Sequence, residues 1–550
     1  MKKNFTLFLM ICFSMAAAQN TVGLLSYNPA KAFDGYNLFY PHNQPNVYLL
    51  DMCGEIVHVW EDAPDVRPGN TAYLRPDGTL VKTKRPAAVA NDPIWAGGGG
   101  ATVEIRDWDN NLLWSYTLND STARLHHDIE PMPNGNILMI AWEVKNEQDL
   151  LAAGRDTATT SQNMLWSERL FEINPATNEI VWEWHAWDHL IQDFDAAKAN
   201  YGVVSAHPEL IDVNFLTNNG KPDWMHANAI DFNENLNQIM LGVPFFGEIW
   251  VIDHSTTTAQ AAGHIGGMGN RGGDLLYRWG NPATYKIAAD QKLFNPHDAH
   301  WVDDFLDFSN PLFGKVAVFN NRVGPDFSTA NIFTPDWDMY EWKYPLTGDH
   351  WGPSDFNVTL THPVSPQNLY STGLSSIQVL PNGNYLICDG RHGYTFELTP
   401  DNQIVWEYKT PLLAGQPASQ GDTLTINNNL TFRFNRLPAD FPAFEGKDLS
   451  PKGWIELNPD TTFCDQILPV TNRMSTYHLQ IYPNPANNTL TLEWTGGIWS
   501  EVAIFDQFGR EMTRFTATGG RKFLDISDYP AGLYYVQIGG IEVRKLLIAR

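Results

Sequence analysis

The stretch His127-Asp128-Ile129-Glu130-Pro131-Met132-Pro133-Asn134-Gly135-Asn136 reads as a strand running into a tight turn, with a histidine at its head. Asn-Gly favours the turns that join antiparallel strands. The arrangement returns twice. His226 stands seven residues before Asn233 and His297 seven before Asp304, as His127 stands seven before Asn134. The same count back from Asp77 and Asn382 gives Asn70 and Ser375, both polar. On an inner strand, alternate side chains share one face. If the strands are equivalent members of a closed repeat, this register lines its axis and the three imidazoles converge.

Two kinds of hairpin support a repeat. One carries a Pro-Asp-Gly or Pro-Asn-Gly turn, at Pro76-Asp77-Gly78, Pro133-Asn134-Gly135 and Pro381-Asn382-Gly383. The other joins an apolar strand to a tryptophan-bearing one: Val47–Asp51 to Trp60, Val103–Ile105 to Trp114, Leu170–Ile173 to Trp182, and Phe396–Leu398 to Trp406. Trp279 and Trp342 stand in similar surroundings, in alternating strand-type residues. The two hairpins alternate along the chain and make four-stranded units of about 50–70 residues, the signature of a propeller. About six units fit between Asn20 and Thr461, the first and last being the least distinct. Long insertions at 143–166, 188–224, 255–274 and 324–370 are expected to project as loops shaping a channel mouth. A short helix is expected within 188–200.

The expected fold is therefore all-β, a six-bladed β-propeller followed by a small C-terminal β-sandwich. A signal peptide is expected at 1–18: Lys2 and Lys3, an apolar run from Phe5 to Met15, and Ala16-Ala17-Ala18 before Gln19. The propeller occupies 19–467, a linker 468–478 and the terminal unit 479–550. No later segment approaches the apolar length of a membrane span. The formal charge of −26 would repel a polyanion, which argues against nucleic acid as a partner. Beyond Cys12 in the leader, Cys53, Cys388 and Cys464 remain, too few for a disulfide framework. They are expected as three buried thiols, with one bridge as the alternative.

Several histidines at an axis suit two chemistries. His126-His127-Asp128 and His297-Asp298-Ala299-His300 contain zinc-type ligands, although strand alternation turns neighbours to opposite faces. The other chemistry is covalent catalysis by neutral imidazole, with neighbouring imidazoles and an asparagine amide stabilising charged oxygens. Here the residues carry a resemblance. Asp223-Trp224-Met225-His226-Ala227-Asn228-Ala229-Ile230-Asp231, Gly247 to Ser255, Leu125 to Asp128, Leu276 to Pro282, His297 to Trp301, and Phe319-Asn320-Asn321 resemble the aryl-sulfate sulfotransferase family over nearly all of 20–461. That family is a six-bladed propeller that moves a sulfuryl group from a phenolic sulfate ester to a phenol, without a nucleotide donor or other cofactor. The resemblance implies His297 as the sulfated nucleophile and His226 and Asn228 as holders of the sulfate oxygens. It implies His127, or else His126, as the group assisting the phenol. Asn321, Arg322 and Phe245 join His126 as substrate-binding candidates, and no metal is assigned.

The chain departs from the family pattern. Pro244 stands where an arginine is expected, Pro296 where glutamine precedes the nucleophile, and Arg322 where glycine follows Asn320-Asn321. Arg322 is the candidate replacement for the missing arginine. The alternative readings are a catalytically impaired surface propeller that binds aryl or anionic ligands, and a metal-dependent hydrolase. Gly97-Gly98-Gly99-Gly100 reads as a flexible loop, Lys82, Lys84 and Arg85 as a solvated strand face, and Arg391-His392 as a surface turn. The tail resembles the C-terminal sorting domain of the type IX secretion system. Tyr482-Pro483-Asn484-Pro485, Val502 to Arg510, Leu524-Asp525-Ile526, Pro530 to Tyr535 and Arg544-Lys545 carry that likeness. It implies export across an outer membrane, with the secretion machinery as a partner.

Overall fold

A computed structural model describes residues 20–89, 92–306, 310–461 and 464, and then 478–495, 499–506, 510–518, 521–538 and 542–550. The expected leader at 1–18 and all but the end of the linker lie outside these residues. The chain divides into two compact units, 1–467 and 468–550.

Among the described residues of the first unit, six antiparallel sheets each contain four or five strands. Five draw four strands from one continuous piece of chain, at 66–117, 123–185, 229–279, 296–360 and 376–409. The sixth combines Gly35–Pro41, Val47–Leu50 and Ile56–Trp60 with Thr431–Pro438, which pairs along Gly35–Pro41. Gly23–Tyr27 adds an outer strand to the 376–409 sheet. This exchange explains the indistinct first and last units: each takes a strand from the far end of the chain. The innermost strands touch in cyclic order, from Val66–Leu74 through Ala123–Pro131, Ala229–Asn233, Pro296–Trp301 and Ser376–Val379 to Thr431–Pro438 and back.

The tryptophan pattern has a packing cause. Indole N–H groups on the outermost strands donate to the following sheet: Trp60 to the Asp107 carbonyl at 3.1 Å, Trp114 to Asn178 at 3.3 Å and Trp184 to the Gly273 carbonyl at 2.7 Å. Trp279 donates to the Pro353 carbonyl at 2.8 Å, and Trp406, on the strand covered by Gly23–Tyr27, donates to the Met52 carbonyl at 2.9 Å. Each ring fills apolar space between sheets while its polar edge is satisfied. Trp342 does not follow the pattern. It lies in a turn, and the outermost strand of its sheet is Val358–Leu360.

Four further expectations are corrected. Among the described residues of 188–200 there is no α-helix. A helix forms instead at Glu147–Ala152, where Asn146 and Asp149 make a reciprocal capping box. Cys53 and Cys464 form a disulfide, leaving Cys388 as a buried thiol rather than one of three. Lys82 is fully buried and bonds Asp62 at 2.7 Å, so that strand face is ion-paired rather than solvated. The loop around Gly98 packs against the site, as described below.

The second unit forms a three-stranded and a four-stranded antiparallel sheet. Leu490, Leu492 and Trp494 of the first pack with Val502, Ile504, Val536 and Leu546 of the second in one apolar cluster. No helix among the described residues is long and apolar enough to cross a membrane.

Candidate functional site

The three histidines come together through irregular backbone rather than through strand pleating. Leu125 pairs with Ala141 and Ile129 with Met139, so residues 126–128 leave the ladder. Comparable register shifts fall between residues 68 and 72 and between 297 and 300. Such bulges re-aim side chains. Left-handed φ occurs at Asn70 (124°), His127 (50°), His226 (60°) and Ser375 (92°). These are four of the five positions in the sequence register, and for the fifth it falls one residue later, at Asp298 (56°). A side chain in this region costs about 1–3 kcal/mol and tends to mark a functional site. The bulge also defeats the alternation argument: the Nδ1 atoms of His126 and His127 lie 2.9 Å apart.

The rings of His127 and His226 meet edge to face, with centroids 4.5 Å apart. Phe432, from the closing strand Thr431–Pro438, has its centroid 6.2 Å from that of His127 and 6.3 Å from that of His297. Phe245 stacks on His226 at 4.4 Å. Trp142 stacks on His126 at 4.0 Å. A Cβ added at Gly98 would lie 1.9 Å from His127 Nε2, and Gly98 has φ +81°. Its carbonyl accepts from the His127 amide at 2.8 Å and from Asn70 Nδ2 at 2.9 Å. The glycine is therefore a close-packed wall of the site.

Hydrogen bonds define the proton positions. His297 Nδ1 lies 2.8 Å from Asn321 Oδ1 and 3.2 Å from the Asn295 carbonyl, both acceptors, so it carries the proton. Asn321 is itself oriented, donating Nδ2–H to the Leu374 carbonyl at 3.0 Å. The lone pair of His297 is thus on Nε2. His226 donates Nδ1–H to Asp223 Oδ2 at 2.6 Å. His126 Nε2 lies 2.8 Å from Glu168 Oε2, and Glu168 Oε1 accepts from the Ala227 amide at 2.9 Å.

Burial and neighbouring charge divide the imidazoles. Burial, then the His226 cation, pull His297 down to about 3. Burial and the neighbouring histidines hold His127 well below the ordinary histidine value, and burial does the same to His126. Burial works against the His226 cation too, but the charge and hydrogen bond of Asp223 raise it above its ordinary value. Burial pushes Glu168 well above the usual carboxylate range. The centre thus contains neutral imidazoles around one that favours the cation.

The other candidates lie close by in different roles. Asn228 is fully buried, and its amide donates to the Pro296 carbonyl at 2.9 Å, next to His297. Arg322 is exposed and donates to the Thr372 carbonyl at 3.1 Å, the same oxygen that Asn295 bonds. Arg391, expected on the surface, is half-buried, and its Nε has no partner. A Cβ at Gly373 would meet Arg391 Nη2 at 3.3 Å and His297 Cε1 at 3.7 Å, so both flank one point. Asp128 and Asp298, the carboxylates of the two metal-like clusters, both turn to Arg433, at 2.6 Å and 2.5 Å.

Sequence reasoning missed Glu168, Asp223, Arg391, Phe432 and Arg433. Asp223 had a local signal, standing three residues before His226 within the quoted motif. Glu168 had none, reaching His126 across 42 residues through sheet pairing.

A family profile described as Arylsulfotransferase (ASST) matches residues 38–337, more than half of the 550 residues. A second, Secretion system C-terminal sorting domain, matches 480–548. The first span includes His126, His127, His226, Asn228, Phe245, His297, Asn321 and Arg322, and ends before Arg391 and Arg433. No curated protein matches the chain. Among solved structures, a protein of unknown function from Bacteroides caccae is 10% identical at TM-score 0.36, covering 68% of this chain and 94% of its own. A streptogramin B lyase is 12% identical at TM-score 0.34, covering 76% and 95%. Virginiamycin B lyase from Staphylococcus aureus is 12% identical at TM-score 0.33, covering 75% and 99%. Likenesses this distant carry no argument about function.

Proposed function

The chain belongs to the arylsulfotransferase family and ends in a type IX sorting domain that marks it for export, and on that premise we propose that it transfers a sulfuryl group between phenols through a sulfo-histidine at His297. We read the six sheets as the blades of a propeller around the histidine centre and the tail as a β-sandwich. The observation that carries the proposal is the tautomer of His297. Asn321 and the Asn295 carbonyl hold its proton on Nδ1, leaving a neutral Nε2 lone pair that no described protein group engages.

In the first half-reaction Nε2 of His297 attacks the ester sulfur. The N–S bond forms as the S–O bond to the phenol breaks. His226, in its cationic form, and Arg391 face the negative charge that gathers on the sulfuryl oxygens. Arg391 stands in for the arginine displaced by Pro244. Phe245 and Phe432 supply aromatic walls, and Asn228 steadies the Pro296–His297 backbone from beneath. His127 donates its Nε2 proton to the departing phenolate. A relay refills it: Glu168, protonated at rest, passes a proton to His126 Nε2, and His126 Nδ1–H passes one to His127 Nδ1. With an acceptor phenol the relay runs backwards, and the acceptor oxygen takes the sulfuryl group from His297.

Intact-mass and peptide analysis after brief exposure to a chromogenic aryl sulfate tests this. One sulfuryl group is expected on the peptide containing His297, discharged by added phenol and absent from His297→Ala. Aryl-sulfate binding without an adduct would instead support the non-catalytic surface propeller.

A further inference from the structure

Away from this centre, His189, His264 and Asp274 bring two of the long insertions together. His189 follows the turn Ala186–Asp188, and its fully buried ring stacks on Trp184, with centroids 5.6 Å apart and planes 5° from parallel. Its Nε2 lies 2.9 Å from the Ala261 carbonyl, and its Nδ1 lies 2.8 Å from Asp274 Oδ1. Both neighbours are acceptors. A neutral imidazole has one N–H, so one of these contacts sets two lone pairs against each other. Metal-bound imidazoles resolve that arrangement: the remote N–H donates to a carbonyl and the other nitrogen faces the ion.

The third group completes the geometry. His264 Nδ1 lies 2.8 Å from the same Asp274 Oδ1, and the ligand atoms of the three residues all lie within 4.8 Å of one another. A tetrahedral site with bonds of about 2.0–2.2 Å has ligand–ligand edges of roughly 3.3–3.6 Å. The two nitrogen–carboxylate edges, each 2.8 Å, would lengthen by roughly 0.5–0.8 Å to reach it. The His264 side chain is 61% exposed, so one ligand is free to adjust. It also lines a cavity of ≈ 590 Å³ with Trp187, Leu190 and His207.

We propose that His189 Nδ1, His264 Nδ1 and Asp274 bind one divalent transition-metal ion of the zinc class, with a fourth position open to this cavity. Two imidazoles and one carboxylate suit zinc and do not suit magnesium or calcium. The ion fastens the 255–274 insertion to the head of the 188–224 insertion.

The full chain, stripped with chelator and dialysed, is titrated with zinc by calorimetry and with cobalt(II) by visible absorption. Wild type is expected to bind one zinc per chain at this site, to show a tetrahedral cobalt spectrum and to gain thermal stability on binding. His264→Ala changes an exposed side chain, so its metal-free melting temperature is expected to match wild type. Its zinc-dependent rise and cobalt spectrum are expected to disappear, with at least a tenfold loss of affinity. Asp274→Asn should lose both signals as well. Equal zinc responses in wild type and His264→Ala, or no response in wild type, overturn the proposal. Sulfuryl transfer by the stripped chain is expected to persist, which keeps this result separate from the proposed function.

Discussion

Asp223→Asn removes one charge while preserving shape. Asp223 Oδ2 accepts from His226 Nδ1 at 2.6 Å, and both side chains are largely buried. Asparagine keeps an acceptor oxygen but no longer favours the cation. A hydrogen bond to a charged group contributes about 1.5–3 kcal/mol. If that contribution is spent on the sulfuryl oxygens in the transition state, its loss lowers kcat/KM roughly 10–150-fold. The pH dependence follows from the sign of the shift. Asp223 raises the His226 value, so the cation prevails below that value and is lost as pH rises through it. The alkaline limb of kcat/KM in wild type therefore reports His226 losing its proton. In Asp223→Asn the burial penalty is no longer offset by this charge, and the limb moves to lower pH. The assay is the initial rate of phenol release from a chromogenic aryl sulfate, with saturating acceptor, across a pH series. Circular dichroism would verify the fold. A variant with reduced rate and an unmoved alkaline limb would refute the assignment of His226 as the working cation.

Glu168→Gln keeps the acceptor for the Ala227 amide but breaks the relay. Transfer is expected to fall by about 10²–10⁴, and more steeply for donors with poorly leaving phenols, as read from rates across a series of aryl sulfates. Gly98→Ala forces a methyl group onto His127 Nε2 in a left-handed backbone. It is expected to cost roughly 1–3 kcal/mol of stability and to depress transfer, measured by thermal melts and turnover. Arg391→Gln is expected to lower kcat by about 10²–10³, whereas Arg322→Gln, altering an exposed side chain, should change it by only a few-fold. The reverse ranking in parallel assays would move the sulfuryl clamp to Arg322.

The histidine register was legible because turn asparagines and aspartates act as fixed rulers along each inner strand. What the ruler measures is a recurring left-handed bend, which neither composition nor alternation announces. Tryptophan spacing revealed outer strands where the indole bridges neighbouring sheets, at Trp60, Trp114 and Trp279. It misled at Trp342, whose surroundings imitate a strand inside an insertion. Glu168 and Arg433 escaped because each bonds a histidine or aspartate far along the chain, and Arg391 because only the fold brings it beside His297. Their relevance is created by sheet neighbours: burial pushes Glu168 well above the usual carboxylate range, whereas Asp128 and Asp298 hold the Arg433 cation against burial. The exchange of strands between chain ends was hidden for the same reason.

That exchange has a temporal consequence. Arg433 sits on Thr431–Pro438, the strand that completes the sheet begun at Gly35, and it grips both Asp128 and Asp298 beside two of the histidines. A ribosome must therefore finish almost the whole first unit before any of its chemistry can be assembled. Truncated products would lack the strand that completes this sheet, and the histidine centre matures only when Gly35–Pro41 and Thr431–Pro438 have met.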